Sequence, residues 1–313
     1  MIELIYTTDE IKLLSRCTIC PRECSVNRFE GHGGYCGTDA GMNIASICIH
    51  KGEEPVISGP GGICNIFFAG CNLHCIFCQN HEISHPAGQE IRNIRTLDSV
   101  IGQVEKILAT GIRTVGFVSP SHVVPQVKAI IRGLKSRGLN PITVYNTNSY
   151  DKPDVIDSLE GLIDVYLPDY KYVTPALAEE YSDAPDYPDV ALKALKRMYF
   201  QKGSTLPLDI EGRAEGGMLI RHLVLPGKAE ESKKVLRSIA DELSAGVHLS
   251  LMSQYHPVPQ VKGHSDLGRS LYKEEYEIVA EAMESLGFRN GWVQDMDSYH
   301  NYMPDFRKEN PFE

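Results

Sequence analysis

Short apolar runs alternate with longer amphipathic stretches over most of this chain. Apolar runs bounded by polar turns are typical of buried β-strands, and their alternation with helices favours a parallel sheet. The six runs that we predict to be strands are Ile63–Ala69, Thr114–Val118, Pro141–Asn146, Ile163–Leu167, Met218–Leu225 and Val247–Met252.

The clearest helical pattern runs from Leu97 to Thr110, where apolar residues recur with the helical period. Thr96 is placed to cap its first turn and Gly111 to end it. Six strands with intervening helices predict an α/β fold, namely a partial (β/α)6 barrel. A full eight-stranded barrel is disfavoured because it usually needs about 250 residues and the first sixty residues here form a separate segment. The other predicted helices are Val123–Arg137, a short one from Pro153, Pro188–Gln201, Ala229–Ser244 and Lys273–Leu286.

The first part of the chain is rich in cysteine and glycine, and no long amphipathic helix is predicted there. A linker-like run of glycine and proline, Ser58–Gly62, ends it. We therefore predict a cysteine-rich segment over residues 1–62 and a barrel with a C-terminal extension over residues 63–313. A segment this short seldom folds on hydrophobic burial alone, so we expect a bound metal to stabilise it.

The composition is that of a globular protein, with 42% apolar and 23% charged residues. No run approaches the roughly 20 apolar residues of a membrane span, and Met1–Leu4 lacks the features of a signal peptide. Nine cysteines in such a chain predict metal binding in a reducing cytoplasm. The net charge of −10 disfavours nucleic acid as a partner, because Lys and Arg must neutralise its phosphates.

Three cysteines follow the first predicted strand: Cys71, Cys75 and Cys78, with the spacing C-x3-C-x2-C. Thiolates at this spacing can hold three irons of a [4Fe–4S] cluster and leave the fourth iron open for a substrate or cofactor. Structural zinc prefers four ligands, usually in two separated pairs. Zinc completed by His74 or His81 is therefore the weaker interpretation.

This spacing after an apolar strand, with Phe77 before the last cysteine, resembles the signature of radical S-adenosylmethionine (SAM) enzymes. The resemblance implies that Cys71, Cys75 and Cys78 bind a [4Fe–4S] cluster whose open iron is chelated by SAM. It also implies a reductant such as flavodoxin or ferredoxin, and a 5′-deoxyadenosyl radical that abstracts hydrogen from a substrate. A partial (β/α)6 barrel is the fold that the resemblance implies.

Polar residues stand at the carboxyl ends of the predicted strands, where α/β barrels place their active residues. Asn146 and Asn148 offer both hydrogen-bond donors and acceptors, although asparagine is also common in ordinary turns. Asp169 and Lys171 can serve one anionic ligand together, or form a simple rim ion pair. Arg221 lies inside an apolar strand, where an unpaired charge is costly.

Within the radical SAM family, these strand ends are most similar to those of pyruvate formate-lyase activating enzymes. The similarity places Lys171 near the SAM carboxylate or ribose, Arg221 near the SAM carboxylate, Asp169 at a monovalent cation and His256 near the adenosine. The residues that we assign to SAM binding are Ser119, Ser121, Asn146, Asn148, Asp169, Lys171, Arg221 and His256.

The N-terminal cysteines Cys17, Cys20, Cys24 and Cys36 resemble a motif found in a subgroup of that branch without an assigned substrate. Their spacing supports either a four-cysteine zinc site or an auxiliary iron–sulfur cluster. Structural zinc is favoured because four ligands close a tetrahedron. The position of the motif upstream of the barrel differs from that of the ferredoxin-like inserts of glycyl-radical activases, which counts against an activase function.

These features predict a radical SAM enzyme whose substrate the sequence does not identify, and they single out no catalytic acid or base. The candidate substrates are a glycyl radical protein, a small molecule, a peptide and RNA, the last disfavoured by charge. The contrasting prediction is a non-catalytic iron–sulfur or zinc protein, such as an electron carrier. A carrier needs no SAM-binding strand ends, so the polar strand ends count against it.

Overall fold

The structure, a computed structural model, describes residues 5–31, 33–85, 93–296, 304–308 and 310–312. Residues 1–4, on which the prediction of no signal peptide rests, lie outside this described part. The helices in it are α1 (Thr8–Ser15), α2 (Pro55–Ser58), α3 (His81–Ser84), α4 (Leu97–Leu108), α5 (Val124–Ser136), α6 (Pro153–Asp157), α7 (Pro175–Ser182), α8 (Tyr187–Lys202), α9 (Ala229–Glu242) and α10 (Lys273–Ser285). The strands are β1 (Met42–His50), β2 (Ile63–Phe68), β3 (Asn93–Arg95), β4 (Thr114–Val118), β5 (Ile142–Thr147), β6 (Val165–Pro168), β7 (Gly217–Leu223), β8 (His248–Met252) and β9 (Gly291–Val293).

The described strands form one sheet in the order β3-β1-β2-β4-β5-β6-β7-β8-β9. Neighbouring strands from β2 to β9 are parallel, whereas β1 is antiparallel to both β2 and β3. Within the described residues β3 and β9 end the sheet without pairing with each other, so the barrel stays open. The predicted α/β fold with a partial barrel is confirmed, and all six predicted strands are present.

Helix α4 shows how the local sequence produces these elements. The Thr96 hydroxyl accepts a hydrogen bond from the Ser99 amide (3.2 Å), which caps the first turn as predicted. Val100, Ile101 and Val104 form its buried face. That apolar face packs against the sheet, while the polar side stays in solvent. None of the described helices is long and apolar enough to cross a membrane.

Strand β1 connects the cysteine-rich part of the chain to the barrel sheet. Residues 44–50 pair with residues 63–68 of β2, with one irregularity between Ile44 and Ser46. The boundary that we predict at residue 62 therefore falls between two hydrogen-bonded strands. Two residues beyond the end of β2, Gly70 (φ +78°) lies against the main chain of Cys36, whose carbonyl oxygen a Cβ at position 70 would overlap. The N-terminal segment thus contacts the barrel along β2 and just beyond its carboxyl end.

Candidate active site

A cavity of about 920 Å³ lies against the carboxyl ends of the parallel strands. Cys71, Ser119, Asn146 and Asp169, each near the end of a different strand, are among the residues that line it. Its volume is near the upper end of the range for small-molecule sites, about 300–1,000 Å³. The described part of the fold therefore brings the cysteine loop and several strand ends to one cavity.

Cys71, Cys75 and Cys78 all line this cavity. Each sulfur accepts at least one hydrogen bond, an arrangement that favours the thiolate. The donors are Asn148 Nδ2 (3.5 Å) and Leu73 N (3.4 Å) to Cys71, Ser182 Oγ (3.0 Å) to Cys75, and Ser84 Oγ (3.3 Å) to Cys78.

Burial raises the pKa of all three thiols, to about 11 for Cys78. The Lys171 ammonium acts in the opposite direction on each of them. Metal binding to such thiols releases their protons and compensates the buried negative charge. The chemistry of this donor set fits a [4Fe–4S] cluster held by three cysteines.

No three Cys, His, Asp or Glu side chains among the described residues converge on the position of a single metal ion. In a cubane cluster each cysteine binds a different iron, so its sulfur ligands stand farther apart than those around one ion. The four N-terminal cysteines that we predict to bind zinc are not arranged around a single ion in the described part of the chain.

Asn148 connects the end of β5 to the cysteine loop. Its Nδ2 donates to Asn72 Oδ1 (2.9 Å) and to the Cys71 sulfur, while its Oδ1 accepts from the Tyr150 amide (2.9 Å). Asn148 is buried, with 7% of its surface exposed, yet it lines the cavity. The side chain is therefore held in one orientation beside the predicted cluster ligands.

The other residues predicted on β4 and β5 fall into two groups. Ser119 and Asn146 line the cavity, and the Ser119 amide donates to the Asn146 carbonyl (2.9 Å). Ser121 does not line it. Its buried hydroxyl instead contacts Thr147 Oγ1 (2.9 Å) and Asp151 Oδ2 (3.1 Å) behind the cavity wall.

Asp169 and Lys171 both line the cavity and form an ion pair, with Lys171 Nζ 2.7 Å from Asp169 Oδ2. Burial alone would lower the pKa of the Lys171 ammonium, but Asp169 and the Cys75 thiol together hold that pKa above its ordinary value. Lys171 is therefore a protonated cation close to the cysteine loop. This pair is more buried than an ordinary rim ion pair, with 19% and 26% of the two side chains exposed.

Arg221 lines the cavity but is not a free cation, because Glu53 and Glu54 bind it. Glu54 accepts from Arg221 Nε (2.9 Å) and Nη2 (2.7 Å), and Glu53 accepts from Nη2 and from Asn65 Nδ2 (2.8 Å). Burial would lower the pKa of Arg221, but the two carboxylates raise it. The sequence prediction missed both glutamates, although adjacent acids before Pro55 after an apolar run are a detectable signal.

His256 is not among the residues that line the cavity. Strand β8 ends at Met252, and a hydrogen bond from the Tyr255 amide to the Ser253 carbonyl (2.9 Å) turns the chain. Gln254 occupies the cavity wall instead: its carbonyl accepts from Gln79 Nε2 (2.8 Å) and its Oε1 accepts from Gln294 Nε2 (2.9 Å).

Three of the four N-terminal cysteines, Cys17, Cys20 and Cys36, are buried around the guanidinium of Arg28, while Cys24 is partly exposed. Arg28 Nη2 donates to the Cys36 sulfur (3.2 Å). Burial raises the pKa of Cys20 to about 12. A buried cation beside several thiols favours their thiolate form.

A stack of side chains joins this N-terminal segment to the cysteine loop of the barrel. The Arg22 guanidinium lies 3.8 Å from the ring centroid of Tyr35, which in turn stacks on His74 at 4.0 Å. Arg22 Nε also donates to the Asn72 carbonyl (3.0 Å). No sequence pattern indicated this contact, because the partners are far apart along the chain.

Residues 65–205 match the family model of the Radical SAM superfamily. The matched region, which is less than half of the chain, includes the three cavity cysteines and the strand ends as far as Lys171. The match supports an enzyme of the radical SAM class. That class implies a [4Fe–4S] cluster, SAM and an external reductant.

Two curated relatives come from Methanocaldococcus jannaschii, and both are uncharacterized proteins. One is 29% identical over 276 residues, which are 87% of this chain and 75% of that protein. The other is 29% identical over 89 residues, which are 24% of this chain and 26% of that protein.

Among solved structures, anSMEcpe with bound AdoMet matches with a TM-score of 0.50 at 13% identity, covering 76% of this chain and 59% of that one. SuiB of Streptococcus suis, solved bound to S-adenosylmethionine, gives a TM-score of 0.49 at 14% identity over 72% of this chain and 48% of its own. The chain thus spans about half the length of SuiB. At these identities the likeness concerns the fold alone.

Proposed function

We propose that this protein is a radical SAM enzyme that cleaves SAM reductively and abstracts hydrogen from a substrate. The observation that carries the proposal is the meeting of Cys71, Cys75 and Cys78 with the strand ends at one large cavity. Bound to these cysteines, a reduced [4Fe–4S] cluster with SAM supplies a 5′-deoxyadenosyl radical. The electron comes from an external reductant such as flavodoxin or ferredoxin, and the location that suits these thiols is the cytoplasm.

The side chains around the cysteine loop have defined tasks in this proposal. Lys171, held by Asp169, presents a cation to the carboxylate of SAM. Asn146 and Ser119 provide polar groups on the same wall. Phe77 lines the cavity beside the cysteines and helps to exclude water, which protects a reactive radical. Arg221 takes part together with Glu53 and Glu54 rather than as a free cation.

The charge of the residues that line the cavity limits which class of substrate can bind there. Carboxylates outnumber basic side chains among the described lining residues, which disfavours a polyanion such as RNA. A small molecule, a peptide or the glycine loop of a glycyl radical protein remain the candidates. The strand ends favour activating-enzyme-like chemistry on a glycyl radical protein, whereas the position of the N-terminal cysteine motif upstream of the barrel counts against it. The acidic lining residues are Glu53, Glu54, Asp169, Glu211 and Asp295, and the basic ones are Lys51, Lys171 and Arg221.

We also propose that Cys17, Cys20, Cys24 and Cys36 hold a second metal centre, with zinc favoured over an auxiliary iron–sulfur cluster. In this proposal residues 1–62 form the metal-bound segment and residues 63–313 the catalytic barrel. A variant with alanine at Cys71, Cys75 and Cys78 isolates the N-terminal site. Zinc without acid-labile sulfide in that variant supports the proposal, whereas retained iron and sulfide would identify a cluster.

The test of the main proposal is anaerobic incubation of the reconstituted, reduced protein with SAM, with 5′-deoxyadenosine measured as product. We expect product from the wild type and none from Cys75→Ala. Cys64→Ala is the matched control, because Cys64 is buried in β2 and does not line the cavity. An intact cluster that neither yields 5′-deoxyadenosine nor binds SAM would contradict the proposal and favour an electron carrier.

A further inference from the structure

Asp151 is a buried carboxylate, 1% exposed, whose hydrogen-bond partners are hydroxyl groups. Tyr145 OH (2.9 Å), Ser121 Oγ (3.1 Å) and Thr147 Oγ1 all donate to it. In the described part of the chain no basic side chain forms an ion pair with Asp151. A buried carboxylate without a cation is costly to maintain, so its presence calls for a specific role.

The hydroxyl partners of Asp151 belong to two strand ends with strained main chain. Ser119, after β4, has φ +53° and Ser149, after β5, has φ +64°. Such conformations are strained for non-glycine residues and persist only where the surroundings enforce them. Thr147 Oγ1, which donates to Asp151, also accepts from the Ser149 amide (3.0 Å). The network around Asp151 therefore helps to enforce the turn at Ser149.

The same turn carries Asn148 to the cysteine loop. Asn148 Oδ1 accepts a hydrogen bond from the Tyr150 amide (2.9 Å) and lies 3.4 Å from Ser121 Oγ. Asn148 Nδ2 is thereby directed to the Cys71 sulfur (3.5 Å) and to Asn72 Oδ1 (2.9 Å). A continuous set of polar contacts thus leads from Asp151 to Cys71.

We propose that Asp151 is a positioning residue, which fixes the ends of β4 and β5 so that Asn148 donates to the Cys71 sulfur; this inference rests on the proposed function of the cavity. Asp151 touches neither the cavity nor the cysteines, and it acts through Thr147, Ser121 and Asn148. Hydrogen bonds to cluster sulfurs tune the reduction potential. Loss of a residue that hydrogen-bonds to a metal ligand typically lowers affinity or activity about 10- to 100-fold.

The test compares Asp151→Asn, Asn148→Ala and the double variant with the wild type. An amide at position 151 keeps the shape but is a weaker acceptor for three hydroxyl donors. We expect SAM binding to weaken about 10-fold in Asp151→Asn, and the midpoint potential of the cluster, measured by EPR titration, to fall. If Asp151 acts through Asn148, the double variant has the same potential as Asn148→Ala alone.

Two further variants separate positioning from general stability. Ser149→Gly in the Asp151→Asn background should restore part of the SAM affinity, because glycine adopts a positive φ without support. Asp157→Asn, which removes an exposed ion pair with Arg197, should leave the potential unchanged. In cluster-free protein, hydrogen exchange at the Ser149 amide should be faster in Asp151→Asn than in the wild type.

A folded Asp151→Asn with wild-type potential and SAM affinity would overturn the positioning role, as would additive shifts in the double variant. If Asp151→Asn does not fold, Ser121→Ala takes its place, because it removes one of the hydroxyl groups bound to Asp151. An unchanged midpoint potential in Ser121→Ala would likewise overturn the positioning role. A wild type whose cluster binds no SAM would instead overturn the proposed function, and this inference with it.

Discussion

Glu54 binds Arg221 through two parallel hydrogen bonds, from Nε at 2.9 Å and from Nη2 at 2.7 Å. The two residues are 167 positions apart in the chain, and both side chains are largely buried. Glu54 comes from the cysteine-rich segment and Arg221 from β7, so this pair ties the two parts of the chain together inside the cavity.

We expect Glu54→Ala to lower the free energy of unfolding by about 3 kcal/mol, because it leaves a buried guanidinium with one carboxylate fewer. Urea denaturation of the wild type and of Glu54→Ala measures this difference in the free energy of unfolding. The matched control is Glu242→Ala, whose partner Lys196 is half-exposed. That exposed pair should contribute less than about 1 kcal/mol. Equal losses of unfolding free energy in Glu54→Ala and Glu242→Ala would show that the buried ion pair with Arg221 stabilises the fold no more than the exposed pair does.

Gly70→Ala should destabilise the contact between the N-terminal segment and the cysteine loop. The new Cβ would overlap the Cys36 carbonyl, and the positive φ would be strained as well. Gly138→Ala is the matched control, because Gly138 has φ +75° and open space around its Cβ position. The control isolates backbone strain, about 1–2 kcal/mol.

We therefore expect a larger fall in the free energy of unfolding for Gly70→Ala than for Gly138→Ala, together with less iron per protein after reconstitution. Thermal or urea unfolding and iron analysis measure the two effects. Equal stability and equal iron content in these variants would contradict the close contact at Gly70.

Lys171→Met should weaken SAM binding about 10- to 100-fold, the range expected for loss of a charge-assisted hydrogen bond. The reason is that Asp169 would then present an uncompensated negative charge to the SAM carboxylate. Isothermal titration calorimetry under anaerobic conditions measures the change. Lys202→Met serves as the control, because Lys202 donates to the Ile163 carbonyl (2.7 Å) and does not line the cavity. Similar affinities for the two variants would exclude a role for Lys171 in SAM binding.

The stability of the region around α10 should depend on pH through Glu275. Arg269 binds this carboxylate at 2.7 and 2.8 Å, and the Gly227 and Tyr272 amides donate to it (2.7 and 3.0 Å). These contacts, led by Arg269, lower the pKa of Glu275 from 4.5 to about 2. The charge therefore stabilises the fold above its unfolded pKa, and this contribution is lost as the pH falls towards the folded value.

Urea denaturation of the wild type and Glu275→Gln tests this dependence. The difference in free energy of unfolding should be largest above about pH 5 and should shrink steadily below about pH 4. Because the pair is partly exposed, high salt should also reduce the difference. A difference that stays constant between neutral and acidic pH would show that the hydrogen bonds, not the charge, carry the effect.

The sequence identified β2 and β4 to β8 because these strands are continuous apolar runs separated by amphipathic helices. Strands β1, β3 and β9 escaped prediction for different reasons. Strand β1 lies in a segment whose cysteines and glycines indicated metal binding, although Ile44, Ile47 and Ile49 give it apolar character. Strands β3 and β9 have only three residues each, too few for a periodic signal.

The site was only partly predictable, because motifs identify residues but not their partners. The cysteine spacing and the strand ends indicated Asn148, Asp169 and Lys171, and the fold brings these side chains to the cavity. The partners Glu53 and Glu54 of Arg221, and Asp151 beneath Ser121, depend on contacts between distant parts of the chain. Local periodicity and residue spacing carry no information about such contacts.

The pairing of β1 with β2 limits how the catalytic unit can be shortened. A fragment reduced to residues 65–205 would leave the main-chain amides and carbonyls of β2 exposed as a bare sheet edge, and it would lack Glu53, Glu54 and Arg221 on one side of the cavity. Residues 65–205 alone therefore do not form the complete cavity. Transfer of this site to another protein would require β1 as well.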